Sequence, residues 1–209
     1  MEKTVEKYYQ SLYEVAAVMN SARAPEAVLQ SIVESITKTM GAKGSSLMLL
    51  TPDKKLLLHT VACGLSDWYV RKGPVSADKS IAEALEGKVV PVLHAATDDR
   101  VQYREQAEKE GIASIISIPM QLREEVIGVI RVYTAEPYEF TLDDMYFMAV
   151  VANLGAIALE NARLYETVQK DYDTFRRDML EWRAALGDEW MIQESVVPAE
   201  EVPKRVEPG

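Results

Sequence analysis

Along the first twenty positions, apolar residues recur at alternating three- and four-residue steps through Val5, Tyr8, Leu12, Val15 and Met19. That spacing draws one stripe down a helix, and the polar residues between leave the stripe in need of a partner. Pro25 suits a first helical position, and Val28, Leu29, Ile32, Val33 and Ile36 predict a second helix ending near Gly41. From Ser45 to Leu50 the pattern becomes extended, TPDKK makes a turn and LLLHTVA resumes as a second strand, which together predict a β-hairpin. Leu65 to Gly87 reads as short helices broken by Gly73 and Pro74, with Asp78 or Ser80 capping SIAEALEG. KVVPVLH predicts a short strand, and a polar helix follows around residues 100–110. Residues 111–134, GIASIISIPMQLREEVIGVIRVYT, are two β-branched runs around a charged turn, a second hairpin. Thr141 then caps a long helix whose Asp143 and Asp144 suit its positive N-terminal end.

From Leu154 the apolar stripe settles into a seven-residue repeat: Leu154, Ala158, Asn161, Tyr165, Val168, Tyr172, Phe175, Met179, Trp182 and Leu186. Held over more than four heptads, it predicts a coiled-coil-like extension, with Asn161 as a register-fixing polar position. Beyond Gly187 the chain is acidic, carries Pro198, Pro203 and Pro208, and lacks the apolar residues for a core, so disorder is expected there. The pattern divides the chain into an N-terminal dimerisation helix (1–24), one domain (25–165), a helical extension (166–187) and a tail (188–209).

Composition narrows the function. With 209 residues, 48% of them hydrophobic, there is material for one sizeable core. A net charge of −10 argues against nucleic acid and anionic membranes as partners, since both demand a basic face. The start, MEKTVEKYYQ, lacks the apolar core of a secretory signal, and the nearly uncharged run from Tyr146 to Leu159 is shorter than the roughly 20 residues of a membrane span. A single cysteine, Cys63, cannot form an internal disulfide, so a cytoplasmic protein is expected.

The element order predicts an α+β fold around a central antiparallel sheet. On the glycine, serine and proline of GIASIISIPM, the glycine and hydrophobics of EEVIGVIRVY, the DDR at 98–100 and the YEFTLDDM ahead of the closing helix, the chain resembles the GAF family of small-molecule sensor domains. The resemblance covers roughly residues 25–165. It implies a GAF/PAS-like arrangement, with terminal helices on one sheet face and a pocket on the other, covered by loops and helices. Strand alternation puts Leu47, Ile116, Ile118, Ile130 and Val132 on the helix side. The other side takes Ser46, Met48, Ile115, Ser117, Arg131 and Tyr133, and these, with Trp68 and Tyr69 as lid residues, are the candidate ligand-binding set. Gly128 permits close packing, and Pro119 suits a strand end.

Arg131 is suited to anchoring a carboxylate or phosphate; the plainer role is an ion pair with Glu125 or Asp98, or a reach to solvent. Ser46 and Ser117 serve equally as backbone-bonded hydroxyls, and Trp68 and Tyr69 as aromatics buried under a loop. His59, His94, Asp98 and Asp99 lack spacing that would aim both histidines at one ion, so no metal is expected. The reading is a non-enzymatic sensory module in signal transduction, binding an unidentified small molecule and acting as a homodimer through its terminal helices, with output through a separate protein. The alternative is a dimerising adaptor with a collapsed pocket, decided by whether Met48, Tyr133 and Trp68 fill the polar face. Free methionine sulfoxide reductases share the family's fold, but they need cysteines over the pocket, and Gly73–Gly111 has none.

Overall fold

Both hairpins join one antiparallel sheet in the computed structural model, which describes residues 2–19, 25–80 and 82–186. Helices α1 (Glu2–Met19) and α2 (Pro25–Met40) lead into strands β1 (Gly44–Leu50) and β2 (Leu56–Cys63). The insertion that follows holds α3 (Asp67–Val70), β3 (Val75–Ser76), α4 (Ala77–Ser80), α5 (Ala82–Leu85), β4 (Val90–Val92) and α6 (Arg104–Glu110). Strands β5 (Ser114–Leu122) and β6 (Glu125–Thr134) form the second hairpin, and α7 (Leu142–Leu186) closes the chain. Sheet order is β3-β2-β1-β6-β5-β4, so the two hairpins meet at β1 and β6. The segment read from sequence as short helices therefore also contributes one edge strand, β3, which the pattern did not suggest because two residues are too few to show alternation; the other edge, β4, is the strand expected of KVVPVLH.

The helix side of the sheet is dry. Leu47, Ile116, Ile118, Ile130 and Val132 pack with Ile32, Val33 and Ile36 of α2 and with Met148, Val151 and Ala156 of α7. Full burial of such side chains is worth roughly 2 kcal/mol each, and this layer is the main core. Gly128 sits where β6 crosses β1: a β-carbon there would lie 2.5 Å from the Met48 carbonyl oxygen. Pro119 lies inside β5, opposite Val129 and past Ser117, where pairing with β4 ends, so its missing N–H falls beyond that ladder.

The stripe on α1 is largely used within the chain. Tyr8 and Val15 are buried, and the Tyr8 ring stacks on Phe147 of α7 with centroids 4.5 Å apart. The Tyr8 hydroxyl donates to buried Asp144, whose carboxylate also accepts from the Tyr138 hydroxyl and the Thr141 N–H, while the Asp144 N–H returns a bond to Thr141 Oγ1. That reciprocal cap starts α7 at the predicted place and ties α1 to it. What α1 leaves outward is Tyr9 and Tyr13, not the stripe expected to serve a dimer seam.

The chain forms two compact units, one ending at Arg163 and one beginning at Leu164. In the second, α7 exposes Tyr165, Val168, Tyr172, Phe175, Met179 and Trp182. By length and composition α7 does hold a stretch apolar enough to cross a bilayer, with mean hydropathy 1.4 over 18 residues, contrary to the shorter run read from sequence. Half of that stretch is buried in the fold, as a core helix requires. The tail at 188–209 lies outside the described residues.

Candidate functional site

The second face of the sheet carries the polar residues. Arg131 on β6 sits opposite Ser46 on β1 and Ser117 on β5, and its Nε donates to Ser117 Oγ at 3.0 Å. Ser46 Oγ and the Tyr133 hydroxyl lie 3.0 Å apart. All four are buried, and burial pushes the Tyr133 phenol upward against the opposing charge and hydrogen bond of Arg131. Glu125 pairs instead with Lys54, and Asp98 with Arg100, so neither carboxylate is the partner considered for Arg131.

A short strap closes this face. Ser66 caps α3, its Oγ accepting from the Tyr69 N–H, and both its own N–H and its hydroxyl donate to Glu110 on α6. The strap is bounded by Gly64 and Gly73 at φ +71° and +123°, conformations that side-chain-bearing residues resist. Tyr69 points inward and meets Tyr133 edge to face at 5.9 Å between centroids, while Trp68 stays 47% exposed. Ile115 packs in the same cluster as Tyr69 and Tyr133, whereas Met48 joins Leu57, Val75, Ala84, Val90 and Val129 in the neighbouring one. The face is thus filled by Met48, Tyr69 and Tyr133, with Trp68 outside it.

Two residues outside the candidate set complete the site. Lys72, at the end of the strap, places Nζ 3.6 Å from the Tyr69 ring centroid, donates to the Tyr69 carbonyl at 3.0 Å and lies 3.2 Å from His59 Nε2. His59 reaches this side through a bulge: Leu47 pairs with Val61 but Met48 with His59, so Thr60 is extra. The bulge puts His59 and Leu57 on the strap side while Val61 and Cys63 pack into the helix-side core. Burial, then Lys72, then Arg131 hold His59 down to about 4. Burial, then Arg131, hold Lys72 down to about 7, with Glu110 opposing. His59 Nδ1 is buried and, among the described residues, has no hydrogen-bond partner.

The other candidate ligands for a metal fall elsewhere. His94 is exposed and lines a surface cavity of about 490 Å³ with Asp98 and Arg100, away from His59. Among the described residues, no three His, Cys, Asp or Glu groups come together.

A curled antiparallel sheet with helices on one face and a strapped polar layer on the other defines a small α+β domain. The sequence matches the GAF domain family over residues 22–160, and the chain belongs to that family. No curated protein matches it. Among solved structures it is similar to the GAF domain of a phosphoenolpyruvate-protein phosphotransferase from Coxiella burnetii, with TM-score 0.70 at 16% identity over 78% of this chain and 98% of that one. It is also similar to the phycocyanobilin-bound GAF domain of a cyanobacterial phytochrome, with TM-score 0.62 at 15% identity over 76% and 96% of the two chains. A third is free methionine-R-sulfoxide reductase from Neisseria meningitidis in complex with its substrate, with TM-score 0.64 at 15% identity over 76% and 91%. At such identities the likeness is one of fold.

Proposed function

We propose that this GAF domain is a regulatory module that senses a small molecule on its polar sheet face and reports the event to a second copy of the chain through α7. The observation that carries the reading is the enclosure of two hydroxyls, a guanidinium and an imidazole nitrogen, those of Ser46, Ser117, Arg131 and His59, beneath a strap with a glycine at each end. A face built for stability alone is served better by apolar side chains, because buried charge is costly. The role is sensing and not catalysis. The reductase reading needs a cysteine over the pocket, and Cys63 packs with the opposite core.

The second copy is suggested by the exposed face of α7. With Tyr165, Tyr172 and Met179 at heptad a positions and Val168, Phe175 and Trp182 at d, Asp171 and Asp178 take g and Arg176 and Arg183 take e. In a parallel, in-register pair each of these aspartates meets an arginine of the partner helix; in an antiparallel pair like charges meet. Such a dimer acts on a separate output protein, in the cytoplasm, without nucleic acid or membrane.

The adaptor reading is favoured by one observation, the filling of the face by Met48, Tyr69 and Tyr133. A thermal-shift screen of metabolites separates the two, since a ligand that binds the folded state raises its stability. The sensor reading expects at least one stabilising compound whose effect Arg131→Met abolishes while the unliganded fold persists. No stabilising compound, together with altered unliganded stability in Arg131→Met, would favour the adaptor.

A further inference from the structure

We infer that the molecule sensed on this face carries an anionic group, a carboxylate or one of similar size, held by His59, Lys72 and Arg131. The inference rests on the sensor reading and narrows it to a ligand class. Its first support is the orphaned atom. Lys72 already donates to the Tyr69 carbonyl and stands over the electron-rich face of the Tyr69 ring, the arrangement of an ammonium group, so its contact with His59 Nε2 is a donation too. The proton of the neutral imidazole is then on Nδ1, which makes the buried, partnerless atom an N–H donor facing no acceptor. An unsatisfied buried donor is rare and destabilising, so a site that keeps one has a use for it.

The second support is the local sign of charge. A chain of net charge −10 gathers Lys72 and Arg131 around this one imidazole. Around these cations lie the hydroxyl of Ser117, which accepts from Arg131, the paired hydroxyls of Ser46 and Tyr133, the Tyr69 phenol, and the carboxylate of Glu110, which acts on Lys72. Glu110 is already engaged by the N–H and hydroxyl of Ser66. An anion accepting from His59 Nδ1–H beside two cations satisfies the donor and offsets the like charges together. A neutral ligand satisfies only the donor, and a cation does neither. Lys72 and Tyr69 both lie on the strap between Gly64 and Gly73, and through Lys72 the strap meets His59.

The experiment measures stabilisation and calorimetric binding of the full chain at neutral pH and fixed ionic strength. The probes are acetate, pyruvate, succinate and inorganic phosphate, with the neutral amides of the three acids as controls. At least one anion is expected to bind where its amide does not. Lys72→Met is expected to weaken it about ten-fold or more, the scale of one lost charged contact, and Lys72→Arg to retain most of the affinity. A nitrogen-15 spectrum should show the His59 Nδ1 proton protected from exchange only in the anion complex. If neutral compounds bind as well as anions and Lys72→Met leaves them unaffected, the anion inference falls while the sensor reading stands. If none of the probes binds and His59 Nδ1–H is held by a buried water, the inference falls, and an empty wider metabolite screen then takes the sensor reading with it.

Discussion

Lys72 and His59 give the protein an uncommon pH dependence of folding. An unfolded lysine titrates near 10.5, whereas Lys72 in the fold is held down to about 7. Between those values the unfolded chain binds more protons, so stability rises with pH as the unfavourable buried charge is released. His59 acts in the same direction between about 4 and 6.5. Tyr8 and Tyr69 work the other way. Burial raises both phenols above their ordinary value of 10.0, so their contribution is complete below that value and is lost as pH climbs past it. Melting temperature is therefore expected to climb from pH 5 to about 9 and to fall above about 10. Lys72→Met should flatten the rise above pH 7 and make the acidic limb shallower without removing it, because burial and Arg131 still hold His59 down once the Lys72 charge is gone. A scan of Lys72→Met that keeps the wild-type slope between pH 7 and 9 would assign that slope to other groups.

At the level of elements, most of the sheet was legible because alternation is rigid: Ser46, Met48, Ile115, Ser117, Arg131 and Tyr133 fall together on the face their spacing predicts. His59 was not legible there. Strict alternation groups it with Val61 and Cys63, which pack on the helix side, and only the extra residue at Thr60 turns it over. Nothing in LLLHTVA marks a bulge. Lys72 escaped for a related reason: a strap of four helical residues has no period to read, so which of its side chains point inward depends on the Ser66–Glu110 tie, a contact between residues far apart in sequence. The helical run of α7 through Leu186 was legible, and in the proposed dimer its charges would favour one orientation. Because Asp171 and Asp178 are spaced to meet Arg176 and Arg183 of a parallel partner, position 168 should face its own counterpart. In a Cys63→Ser background, Val168→Cys is expected to form an intermolecular disulfide with itself under mild oxidation. Cross-linking only in mixtures of the Val168→Cys and Trp182→Cys chains would point to an antiparallel pair.

For the molecule as a whole, the proposed dimer would divide the labour between the two units, folding in the first and association in the second. Among the residues whose burial is described, the buried apolar ones of α7, from Phe147 to Leu159, lie in the first unit, where they close a core with α1, α2 and the sheet. In the second unit α7 exposes Tyr165, Val168, Tyr172, Phe175 at 64%, Met179 and Trp182 at 63%. Burying such a row in a partner would stabilise by roughly 25 cal/mol for each Å² of apolar surface removed from water, which would drive the proposed pairing. Charge placed on the row should therefore abolish association and spare the core. Val168→Glu combined with Phe175→Glu is expected to give a monomer by light scattering. The variant should keep the wild-type melting behaviour of the sheet when compared below the dissociation concentration of the dimer, and should also keep its ligand-induced stabilisation. A dimer that survives both substitutions would move the interface to the first unit, where Tyr9 and Tyr13 of α1 are among the exposed aromatics. A monomer that loses the core transition as well would show that the first unit depends on the second for its stability.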